Sequence, residues 1–284
     1  MTTVDEGLFS GNYEDYMNDD VARQREVDLL GDDDDDESVV STTSAATGSK
    51  KSRMKKSGSI YIDHTFPADG RSLYFDPINP PKGSIPQSCI EWNRISSGDI
   101  VGCTEPVLFC NNAKSAEIEE GALGDSYFIN SLRLLACASN SNTKNDLDGI
   151  PQTQHFISRL LVSSKNASKG IYTFKFFKAG AWRYVHIDDQ IPCRQSGKVN
   201  FCRNKNLNET FAMLLEKAYA KLHGCYESLV YGVVGKCLYD LTPGASITTL
   251  KSEHFTPLNI CNEVWDHLDE NLRNRKHLGC TRVV

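Results

Sequence analysis

The sequence predicts an α+β fold, mainly helical with a small β-hairpin, on three observations: a nearly all-apolar helical stretch, two alternating runs around an Ala-Gly turn, and a second long helix with its own start and stop signals. Residues 126–139 carry Tyr127, Phe128, Ile129, Leu132, Leu134, Leu135, Ala136 and Ala138. Apolar side chains nearly all round mark a buried helix. Residues 152–163, apolar at Phe156, Ile157, Leu160 and Leu161, read as a second helix. Over residues 170–192 the period changes, with Ile171, Phe174 and Phe176, then Trp182, Val185 and Ile187, flanking Ala179-Gly180 as a hairpin. The stretch from Asn208 to Leu229 is apolar at Phe211, Leu214, Leu215, Ala218, Tyr219 and Leu222, with Asn208 as the expected cap and Gly224 as the stop. A last amphipathic helix is expected over residues 257–273.

Two regions divide the 284 residues. Residues 1–58 read as a disordered tail, acidic and then basic, and residues 59–284 as the folded domain. Residues 1–48 hold 14 Asp and Glu against Arg23 and Arg25, a net charge of −12, and Lys50, Lys51, Arg53, Lys55 and Lys56 add +5. The remainder is then close to neutral, about +1, with no nucleic-acid footprint. The basic cluster suits a nuclear address, a lipid contact or a phosphorylation site, with a solvated charge run as the simplest reading. From Ser59 the stretch YIDHTFPADGRSLYFDP reads as an extended arm with turns.

Ten cysteines are scattered without a C-x-x-C pair, and the polar, acidic N-terminus is no signal peptide. No apolar run has the length of a transmembrane segment. A reducing, cytoplasmic location with most cysteines buried is expected, so the sequons at Asn166 and Asn208 are expected to be unmodified. His155, His186 and His223 fall within patterned elements and read as packing or surface residues. No metal cluster, phosphate loop or dinucleotide fingerprint is present.

The chemistry centres on Glu120 to Phe128, EGALGDSYF, which enters the buried helix. Ser126 is placed at its N-terminus, where the helix dipole lowers a thiol's pKa and backbone N–H groups can hold an oxyanion. Capping of the helix by Asp125 and Ser126 accounts for the same residues without catalysis.

That segment resembles the calpain signature Q-G-x-L-G-D-C-W, in which Cys is the nucleophile and Gln supplies the oxyanion hole. DHTFPADGRSLYFDP, IEWNR, EPVLFCNNAKSAEIEEG, GAWRYVHIDDQIP, NETFAMLLEKAYAKLHGCYESL and DLTPG resemble further calpain landmarks in order and spacing, over about residues 60–284. The resemblance implies the N-terminal subdomain of a papain-like, calpain-type protease core, and proteolysis as the family's activity. In this chain Ser126 stands at the nucleophile position, and a hydroxyl is far less acidic than a thiol. Glu120 stands at the oxyanion position, where an acceptor-only carboxylate replaces an amide donor. The family's base His and its Asn come from a second half that begins just after a segment resembling Leu278 to Thr281, so they are expected beyond Val284.

The resemblance also implies a Ca²⁺ site formed by Glu117, Glu209 and the carbonyls of Cys110 and Asn112, with two solvated carboxylates as the alternative. No other cofactor is expected. Three functions remain open: a catalytically silent calpain-like protein that binds a peptide, a protein or another calpain-type chain; a peptidase whose His and Asn half is supplied by another chain or lies outside this sequence; and a structural protein that works through its tail.

Overall fold

The computed structural model describes residues 18–30, 60–110, 118–140 and 156–242. Within them lie helices α1 (Asp19–Leu30), α2 (Gly70–Leu73), α3 (Ser126–Asn140), α4 (Phe211–His223) and α5 (Val234–Leu241). The strands are β1 (Ile90–Arg94), β2 (Ile118–Glu119), β3 (Leu161–Ser163), β4 (Ile171–Lys178), β5 (Ala181–Asp188), β6 (Gln190–Arg194) and β7 (Arg203–Asn204). They form three small antiparallel sheets, β1-β6, β2-β7 and β3-β4-β5. The architecture is α+β, as the alternation of periods predicts, with more strand than a single hairpin.

The predicted hairpin forms with Lys178 opposite Ala181. Both turn residues have positive φ, +51° at Ala179 and +78° at Gly180. That backbone suits the twist of a two-residue hairpin turn, and glycine adopts it without a Cβ penalty. Phe174, Phe176, Val185 and Ile187 are buried against the helices. Tyr219 of α4 joins the layers: its ring stacks on Phe128 of α3 at 4.8 Å and meets Phe176 of β4 at 5.5 Å.

Helix α4 is buried from Phe211 to Leu222, including three charged residues. Lys217 Nζ donates to Asp188 at 2.5 Å and to the Gln190 carbonyl at 2.6 Å. Lys221 Nζ donates to Asp63 and to the His186 carbonyl, both at 2.6 Å. Buried ammonium groups need such pairing, because desolvation of an unpaired charge costs several kcal/mol. The extended arm at residues 60–66 is held to the domain by the Asp63 bond, and Asp63 N–H donates to Asp188 at 2.9 Å.

Three expectations are corrected. The helix expected over residues 152–163 is, in its described part, a 3-10 turn at Ser158–Leu160 followed by strand β3. Leu161 pairs with Phe174, so the edge of β4 supplies backbone partners that override the helical spacing. Asn208 does not cap α4. Thr210 holds the cap position, and Asn208 Oδ1 accepts from the N–H groups of Thr104 and Glu105, tying down that loop. Gly224 does end the helix, its N–H donating to the Lys221 carbonyl.

The third correction concerns the tail: residues 19–30, inside the stretch expected to be disordered, form α1 on strands β3 and β4. Polar anchors rather than an apolar stripe hold it, which is why composition did not reveal it. The helix expected over residues 257–273 lies outside the described residues.

Candidate active site

Ser126 is the first residue of α3 and is exposed, at the helix N-terminus as the sequence predicts. The loop before it is anchored at several points. Ile118 and Glu119 pair with Asn204 and Arg203, and Arg133 of α3 donates to the Ile118 carbonyl through Nη2 at 2.7 Å and Nε at 3.1 Å. Ala122 N–H donates to the Asn200 carbonyl at 3.0 Å. Gly121 lies flush on Phe201, where an added Cβ would come within 2.1 Å of the carbonyl carbon. Only glycine allows that approach.

Glu120 is exposed on this loop. Asp125 is fully buried, and its carbonyl accepts from Phe128 N–H at 2.8 Å and Ile129 N–H at 3.3 Å. Its carboxyl group does not cap the helix. Neither oxygen accepts from an N–H of the first turn, and the group faces the carboxyl of Glu216 on α4. Both oxygens of Glu216 also accept from Cys202 N–H at 3.1 Å. Two carboxyl groups can bond only when one carries a proton. Burial pushes Asp125 up to about 6, and Glu216 lies well above the usual carboxylate range because of burial and the charge of Asp125. One shared proton fits this arrangement.

The Asp125–Glu216 pair was missed by sequence reasoning. Glu216 within a helix patterned for burial was the available signal, since a carboxylate on a buried face needs a partner.

The expected calcium ligands are only partly described. Asn112 and Glu117 lie outside the described residues. Glu209 is buried; its Oε1 accepts from Cys110 N–H at 2.8 Å and its Oε2 from Asn204 Nδ2 at 3.2 Å. The carboxylate therefore ties the loop at Cys110 to the head of α4. Among the described residues there is no group of three or more His, Cys, Asp or Glu that could hold a metal ion.

His186 is bonded to Thr173, and His223 packs edge-on against Tyr219 with Nε2 3.7 Å from Asp240. Both serve packing, as expected; His155 lies outside the described residues. Cys103, Cys193, Cys202, Cys225 and Cys237 are buried thiols outside any disulfide. No described helix is long and apolar enough to cross a membrane.

A cavity of about 970 Å³ opens beside the Ser126 loop, lined among others by Ala122, Leu123, Phe75, Phe201, Val230 and Tyr231. Tyr231 is 91% exposed. Next to it, Gly232 lies against the ring of Tyr127, the residue after Ser126.

An anchored loop thus leads into the buried helix of an α+β domain and presents an exposed hydroxyl on that helix's first residue. The family model "Calpain family cysteine protease" matches residues 61–284, and the chain belongs to that family. It is 37% identical over 187 residues to the calpain-type cysteine protease DEK1 of Zea mays, covering 65% of this chain and 8% of that protein. It is 34% identical over 196 residues to calpain-5 of Caenorhabditis elegans, covering 68% and 27%. Calpain-10 of Rattus norvegicus is 34% identical over 187 residues, covering 66% and 26%. The chain thus spans well under a third of each of these relatives.

Proposed function

We propose that this chain is a calpain-family pseudopeptidase that holds a peptide or protein partner on the face carrying Ser126 without cleaving it. The observation that carries this reading is the presence of both Ser126 and Glu120, exposed, at the entrance to α3. The family's chemistry calls there for a thiolate and an amide donor. A serine hydroxyl stays protonated at a helix N-terminus, and a carboxylate opposes a developing oxyanion. The cavity beside the loop offers apolar side chains to a partner, with exposed Tyr231 at its edge.

The test uses the full chain and a fluorescent casein-type peptide, with cleavage and anisotropy read together. Retention of intact peptide, weakened by Leu123→Asp, supports the proposal. Cleavage lost in Ser126→Ala overturns it.

A second reading makes the chain part of a peptidase whose His and Asn come from elsewhere. The similarity to calpain-type cysteine proteases favours it. Ser126→Cys with Glu120→Gln, mixed with the complementary half of an active calpain, then hydrolyses peptide, and the unaltered chain in the same mixture is the control that decides between the readings.

A further inference from the structure

Helix α1 is held to the domain by three side chains on one face. Asp19 accepts from Lys175 Nζ at 2.7 Å and from Tyr184 OH at 2.8 Å. Arg23 Nε donates to the Val162 carbonyl at 3.1 Å. Glu26, fully buried, accepts from Ser163 Oγ at 3.1 Å, from Asn166 Nδ2 at 3.0 Å and from Thr173 Oγ1. Thr173 Oγ1 also lies 2.9 Å from His186 Nδ1. These anchors stand at positions i, i+4 and i+7, two turns along a single helix face.

Apolar burial contributes little. Ala22 is covered, but Val21 and Val27 are 43% and 45% exposed. A helix this short is marginal in isolation and needs its docking partners to form. The docking surface, by contrast, belongs to strands whose other contacts run into the core: β4 pairs along its whole length with β5, and Phe174 and Phe176 point inward. The groove and its occupant therefore have unequal stability, and the occupant is joined to the arm only through residues 31–59.

We infer that the outer face of the β3-β4-β5 sheet is a groove that α1 fills reversibly, read through a carboxylate, an arginine and a carboxylate at i, i+4 and i+7 of that helix. Lys175 and Tyr184 select the first carboxylate, the Val162 carbonyl the arginine, and the hydroxyls of Ser163 and Thr173 with the Asn166 amide the second. The contacts are charge-assisted hydrogen bonds, directional and weakened by salt where they are exposed. Lys175 Nζ lies 5.1 Å over the ring of Trp182, so filling the groove changes the surroundings of an indole.

The test uses the full chain carrying Asp19→Lys and Glu26→Lys, which expels its own helix, and a labelled peptide of residues 18–30. The variant is expected to bind the peptide about tenfold more tightly than the unaltered chain does, since a tethered copy competes in the latter. A Glu26→Lys peptide does not bind, and about 0.5 M NaCl weakens binding of the unaltered peptide. Failure of a variant with unchanged near-ultraviolet circular dichroism to bind, or equal binding of both peptides, overturns the inference. Hydrogen exchange on the unaltered chain decides the matter if the variant misfolds. Faster exchange in α1 than in β4, accelerated by salt, supports a reversible helix; joint exchange of the two contradicts it.

Discussion

Asp125, one residue before Ser126, brings its buried carboxyl group to that of Glu216 on α4. The contact joins the loop that presents Ser126 to the buried helix α4. It also makes the stability of that loop a function of pH.

Both groups titrate above their unfolded values, so the folded state favours the protonated pair. The stabilisation of the doubly protonated pair is complete below about pH 4 and begins to be lost as pH rises through about 6, where Asp125 ionises and Glu216 keeps the proton the two share. Glu216→Gln supplies a permanent donor to Asp125 and keeps an acceptor for Cys202 N–H. The variant is expected to be more stable than the unaltered chain at pH 8, on the order of 2 kcal/mol, and equal to it near pH 4.5. Urea unfolding of both proteins from pH 4.5 to 8 checks this, and parallel curves contradict a shared proton.

Lys217 and Asp188 carry the opposite sign. Burial pushes Asp188 up, but Lys217 more than offsets it, so the carboxyl lies below its ordinary range. This stabilisation holds at neutral pH and fades in acid. Lys217→Met leaves Asp188 buried without its cation and is expected to cost about 3–5 kcal/mol at pH 7. A loss below about 1 kcal/mol in denaturant unfolding contradicts the pairing.

Gly121→Ala places a methyl group against the Phe201 backbone. It is expected to lower stability by about 1–3 kcal/mol and to raise the exchange rates of the amides over residues 118–125. Unchanged exchange there would show that the loop is not held against Phe201.

Glu209→Ala removes the acceptor for Cys110 N–H and Asn204 Nδ2. The expected loss is about 1–3 kcal/mol, with or without calcium. Calorimetric calcium binding at micromolar levels that this change abolishes would assign Glu209 to a metal site instead of a loop fastening.

Much of the fold was legible because its periods are strong. The apolar spacing from Tyr127 to Ala138 gave α3, and the two runs around Ala179-Gly180 gave the hairpin. Strand β3 was not legible, since Leu160 and Leu161 fit either period and only pairing with β4 decides between them. Helix α1 escaped because its docking rests on Asp19, Arg23 and Glu26, whose partners lie more than 130 positions away. At the site, the motif located Ser126 and Glu120, while the inward turn of the Asp125 carboxyl depends on Glu216, a residue of another helix.

Ser126 is proposed to be catalytically silent. The purified full chain, incubated with casein and with calpain-type peptides in the presence and absence of calcium, is expected to release no product above the blank. Its rate is expected to equal that of Ser126→Ala, because a serine hydroxyl stays protonated at a helix N-terminus and the carboxylate of Glu120 is no oxyanion donor. Peptide hydrolysis by the unaltered chain that disappears in Ser126→Ala would contradict the account.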